Sequence, residues 1–170
     1  GGEGRALHKF LAARSDCHGA DARARDPAQH VATSNLLVRR DLLAAVPFDD
    51  GFVGWGWEDV EWALRAETRA PILHVDIPAI HAGLDDVGTL LRKYREGGPN
   101  YGRLAAKHPR AVSGFRSYQA ARMMRNVPGR ARLRAMCAWL ARDPMGVAPM
   151  RARFAALKLY RTAIYGDNIA

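Results

Sequence analysis

The sequence predicts an α/β chain that ends in a helical basic tail, and three observations carry that prediction. Two short runs, residues 30–39 (HVATSNLLVR) and 71–77 (PILHVDI), have the apolar and β-branched composition of buried strands. Segments with apolar residues at i, i+3 and i+4 precede, separate and follow them, which is helical spacing. The charge then changes character: residues 1–109 hold 14 cations and 15 anions, whereas 110–170 hold 12 cations and 2 anions. The formal net charge of +9 over 170 residues therefore belongs to the last third. Residues 1–109 are expected to form one part and 110–170 a basic helical extension.

Taken in order, Leu7, Phe10 and Leu11 predict a helix over 3–14. A polar stretch with Asp16, Gly19, Asp21, Asp26 and Pro27 reads as a loop. The first strand, 30–39, leads into a short helix over Asp41–Val46 that Pro47 stops. Residues 48–57 form a turn-rich loop with three glycines and four aromatics, and loops of that kind more often bind than merely connect. A helix begins at Glu58, with Val60, Ala63, Leu64 and Glu67 on one side, and the strand 71–77 is closed by Pro78. Asp86 has the position of an N-cap for Val87, Leu90, Leu91 and Tyr94; Gly97-Gly98 is expected to end that helix and Pro99 to open another. In the tail, Leu133, Met136, Cys137 and Leu140 form an apolar stripe among arginines, stopped by Asp143-Pro144, and a last helix covers about 150–165.

Composition removes several classes. Cys17 and Cys137 stand 120 positions apart with no second thiol near either, so neither a disulfide framework nor a CxxC site is available. A reducing compartment follows, and a cytoplasmic location is expected. No run approaches the ~18 apolar residues of a membrane span. The chain opens on Gly1-Gly2-Glu3 with helical spacing already under way, so it is expected to begin inside a longer reading frame.

The chemistry concentrates in Gly54-Trp55-Gly56-Trp57-Glu58-Asp59. Two adjacent carboxylates arrive on a glycine-articulated loop at a helix start, where free amides and the helix dipole favour negative charge. Both are expected to be ionised near neutral pH. An ionised, positioned carboxylate suits deprotonation of an attacking alcohol, and exposed indoles suit the apolar faces of sugar rings. The plainer account makes Glu58 and Asp59 first-turn acids and the tryptophans core aromatics, and composition alone favours it. Glu61 has an ordinary partner in Arg65 at i+4 and is left outside the site. Asn35 is a polar island in an apolar run, open equally to buried hydrogen bonding and to ligand contact. His81, beside a glycine after the second strand, is a candidate ligand, but spacing supports no metal on its own; His74 reads as structural.

In this order the pieces resemble the C-terminal half of an inverting GT-A (Rossmann-like) glycosyltransferase of the large family 2-like group, including its galactosyltransferase-like branch. The resemblance covers about residues 28–108. It rests on Thr33-Ser34-Asn35 with Val38-Arg39-Arg40, Phe48-Asp49, the Trp-Gly-x-Glu-Asp box through Arg65, and His81. It implies transfer of a sugar from a nucleotide-sugar donor to a glycan, polysaccharide or lipid-linked acceptor. Asp59 takes the part of general base, and Glu58, Trp55, Trp57 and Asn35 lie on the acceptor side. His81 takes the part of a ligand to a divalent cation, Mn or Mg. Many relatives have glycine where Trp57 stands. The family's donor half, with its Asp-x-Asp motif, has no counterpart in these residues, and the isolated chain is expected to be inactive.

A reading from another class makes the chain a non-catalytic basic module, with the Arg-rich tail and Trp139, Phe154, Tyr160 and Tyr165 as its binding groups. The sequence contains no known nucleic-acid motif. Cationic amphipathic helices over 130–165 also suit peripheral contact with an anionic membrane face, the inner face of the cytoplasmic membrane being the expected one, although short apolar stripes flanked by cations suit a solvated helical cover packed on the preceding part slightly better.

Overall fold

The computed structural model describes residues 3–15, 17–77, 79–80 and 82–170, and among them all regular secondary structure is helical. Nine α-helices follow one another: α1 (Glu3–Ser15), α2 (Ala20–Arg23), α3 (Arg40–Ala45), α4 (Glu58–Ala66), α5 (Val87–Lys107), α6 (Pro109–Ser113), α7 (Arg116–Arg125), α8 (Arg130–Arg142) and α9 (Met150–Asn168). Two 3₁₀ turns, Pro27–His30 and Thr33–Asn35, lie between α2 and α3.

This overturns the expected α/β architecture, because neither strand segment finds a ladder. Residues 30–39 break into the two turns and a short extended piece on which Leu37 is 99% exposed. Residues 71–77 are extended but pair with no other strand, and Leu73 is 81% exposed. They are pinned from one side only. Arg23 Nη2 donates to the Val75 carbonyl at 2.9 Å, the Ala20 amide to Asp76 Oδ1 at 2.8 Å, and His74 Nε2 lies 2.9 Å from the Pro27 carbonyl. β-branched composition favours a pleated surface only where cross-strand neighbours exist to pack against it.

The helices hold together around α9, which packs on α1, α5, α7 and α8. Leu157, Tyr160, Ile164 and Tyr165 of α9 meet Leu7 and Leu11 of α1, Leu91, Tyr94, Tyr101 and Leu104 of α5, and Cys137 and Ala141 of α8 in one buried cluster. A smaller cluster joins Trp62, Ala63 and Ala66 of α4 to Ala28, Val31 and Val46. Its anchor is the Trp62 indole N–H, which donates to the Val46 carbonyl at 2.7 Å.

Asp86 caps α5 as its position suggests, its Oδ1 accepting from the Thr89 amide at 2.7 Å. The helix does not end at Gly97-Gly98, however, but runs on through Pro99 to Lys107. An interior proline costs about 3 kcal/mol in an isolated helix. Here Tyr94, Tyr101 and Leu104 bury the same face on both sides of it, and the glycines serve contact rather than termination. A Cβ on Gly98 would strike Ile164 and Asn168, and one on Gly102 would strike the Asn168 backbone. Asp143 stops α8: it sits at φ 50° and its Oδ1 accepts from the Val147 and Ala148 amides. The last helix extends three residues beyond the expected 165, to Asn168.

Candidate functional site

The 48–57 loop is built before it presents anything. Asp49 Oδ1 accepts from the Gly51 amide at 2.8 Å and Oδ2 from Lys107 Nζ at 2.6 Å, which fixes the first turn against the end of α5. Those two bonds, the Lys107 one foremost, hold the Asp49 carboxyl at about 2. Farther along, the buried Asn100 amide donates to the carbonyls of Val53 and Gly56 at 3.2 and 3.0 Å. Gly54 and Gly56 lie at φ 84° and 91°, where a side chain would be strained.

Trp57 also has positive φ, 77°, a rare conformation for a large residue. Its side chain compensates. The indole N–H donates to the Tyr165 hydroxyl at 3.1 Å, and the ring packs on Tyr101 and Tyr165, with centroids 4.6 and 5.6 Å away. Trp57 is therefore turned into the core rather than lining an acceptor pocket as expected. Trp55 differs, being 40% exposed with one edge toward Tyr94.

The chain leaves Trp57 directly into α4, whose first turn carries Glu58, Asp59 and Glu61. Asp59 Oδ1 accepts from the Val60 amide at 2.9 Å. The amides and dipole of the helix start do not lower the Asp59 carboxyl on balance: desolvation first, and the neighbouring Glu58 carboxylate second, push it up to about 6, which still leaves it mostly ionised at neutral pH. The backbone of Thr33 is also near enough to act on it, in the lowering direction. The Thr33–Asn35 turn thus meets Asp59 through the Thr33 backbone, although Asn35 itself is exposed at the turn's end rather than in a strand. Glu58 Oε2 is buried and accepts no hydrogen bond among the described residues. A buried oxygen in that state costs free energy until a donor reaches it.

Two residues later the same helix does something different. Glu61 is fully buried and accepts from Arg65 Nη2 at 2.8 Å, Lys107 Nζ at 2.7 Å and His108 Nε2 at 3.2 Å. Desolvation opposes its charge, but Arg65, Lys107 and His108 together win and hold the carboxyl at about 2. The i+4 pair with Arg65 is present, yet it is one spoke of a buried hub. Lys107 and His108 stand 46 and 47 positions away, so local spacing gave no sign of them. The one clue was an acid placed on the apolar side of α4 beside Val60 and Ala63.

Asp59, Glu58, Trp55 and the Thr33–Asn35 turn thus cluster around the start of α4. His81 lies outside the described residues. Among the described residues no three His, Cys, Asp or Glu side chains converge on a point that would hold a metal ion. No protein-family model matches the chain, and no curated protein or solved structure is significantly similar to it.

Proposed function

We propose that the chain supplies the base and acceptor side of an inverting, nucleotide-sugar-dependent glycosyltransferase, with Asp59 as general base. The observation that carries this reading is the carboxylate pair itself. A base held near pH 6 is about nine-tenths ionised at pH 7 and still accepts a proton readily, the balance that general-base catalysis requires. Asp59 removes the proton from an acceptor hydroxyl as its oxygen attacks the anomeric carbon of the donor. The nucleoside diphosphate departs from the opposite face, and the configuration inverts. Glu58, whose buried Oε2 accepts no hydrogen bond among the described residues, is the second carboxylate on the acceptor side. The exposed Trp55 face provides the flat apolar surface against which a sugar ring packs. The positive φ of Trp57 adds support from the backbone, since it is a conformation natural to the glycine that many members of the resembled family have there.

The test is transfer by the full-length polypeptide from a panel of nucleoside-diphosphate hexoses, read as release of the nucleoside diphosphate. Asp59→Asn is expected to lower the rate by about 10²–10⁴ with the fold intact. Release that survives the substitution, or no release from any donor by the unsubstituted enzyme, contradicts the proposal.

Peripheral attachment to an anionic membrane through 130–165 is compatible with it. Met136, Trp139 and Val147 are exposed near Arg132 and Arg142. Co-sedimentation with vesicles containing phosphatidylglycerol, but not with phosphatidylcholine alone, is the expected result.

A further inference from the structure

Away from the carboxylate pair, α5, α8 and α9 enclose an open cleft of about 550 Å³. Its floor on α8 is made by small side chains, Ala131, Ala135 and Ala138, so the space exists because nothing on that helix fills it. Its charged groups are three arginines, Arg95 from α5 and Arg134 and Arg142 from α8, against a single acid, Asp167 of α9. Asp167 is already engaged, accepting from Arg130 Nε at 2.8 Å and pairing with Arg134. Among the described residues Arg142 donates to the Ala138 carbonyl of its own helix and, like Arg95, forms no ion pair. The cleft therefore holds two guanidinium groups with no carboxylate to balance them, above an apolar floor closed by Tyr160 and Ile164.

From this arrangement we infer that the cleft is a binding site for a phosphate-bearing ligand, with Arg95 and Arg142 gripping the anion from opposite walls. Guanidinium groups present paired donors that match phosphate oxygens, and charge-assisted bonds of that kind are the strong ones. The volume lies within the range of small-molecule sites. Neither Asp59 nor Glu58 lines the cleft, so the inference stands apart from the transfer reaction.

The experiment is calorimetric titration of the chain with two probes, inorganic pyrophosphate and the water-soluble lipid dihexanoyl-phosphatidic acid. Saturable binding of pyrophosphate assigns the site to free phosphate esters; binding of the lipid alone assigns it to a lipid headgroup. Arg95→Glu and Arg142→Glu are each expected to weaken binding about tenfold or more, the loss of one charge-assisted contact. Ala135→Phe changes no charge but fills the floor, and it is expected to weaken binding as well. Helical circular dichroism of each variant checks that the fold is retained. If neither probe binds saturably, or if Ala135→Phe binds as the unsubstituted chain does, the cleft is not the site and the inference fails.

Discussion

Asp59 and Glu61 stand two residues apart on one short helix and titrate in opposite directions. Asp59 has its folded pKa raised to about 6 from 3.8, so its contribution to stability is complete below about 3.8 and is lost as pH rises through 6. The shift corresponds to about 3 kcal/mol against the folded state above that range. Asp59→Asn is accordingly expected to raise the urea midpoint at pH 7.5 and to leave it nearly unchanged at pH 4. A site kept for chemistry at the expense of stability behaves this way. Glu61 has its pKa lowered to about 2 from 4.5, so its contribution is present above 4.5 and disappears as pH falls through 2. Glu61→Gln leaves Arg65, Lys107 and His108 around a neutral amide, and a loss of about 3–5 kcal/mol at pH 7 is expected in denaturant titration. Glu58→Gln removes the like charge beside Asp59, and a carboxyl-carbon NMR titration is expected to show the Asp59 pKa moving down.

Among the elements, the helices were legible in the sequence wherever their signal was local. The apolar spacing at Leu7, Phe10 and Leu11, the Asp86 cap, and the Asp143-Pro144 stop each act within a turn or two, and each has its counterpart in α1, α5 and α8. What depended on distant partners was not legible. The strand composition of 30–39 and 71–77 describes a preference that needs a neighbouring strand, and the described residues provide none. Gly97-Gly98-Pro99 has the local form of a helix end, but the approach of α9 across Gly98 and Gly102 makes it the middle of one. The candidate site divides along the same line. The carboxylate pair at a helix start was visible from Glu58 and Asp59 alone, while the inward turn of Trp57 required Tyr165, 108 positions away. Gly102→Val is expected to cost at least about 1–3 kcal/mol through overpacking against Asn168, measured by chemical denaturation. Gly19→Val, where a Cβ meets nothing, serves as the control.

For the whole molecule, the buried cluster that links α1, α4, α5 and α6 to α7, α8 and α9 runs across residues 109 and 110, so the basic tail and the preceding part share one core. Thermal unfolding followed by circular dichroism and by tryptophan fluorescence is expected to give coincident single transitions. The excess of cations behind the +9 charge lies in residues 110–170, and no helix among the described residues is long and apolar enough to cross a membrane. The role proposed for Asp59 is that of proton acceptor in sugar transfer. It is tested most directly by the pH dependence of nucleoside-diphosphate release in the full-length polypeptide and its Asp59→Asn variant. An acidic limb with a midpoint near 6 is expected in the first and a loss of at least about a hundredfold at pH 7.5 in the second. A variant that transfers within a few-fold of the unsubstituted enzyme at pH 7.5 would contradict it.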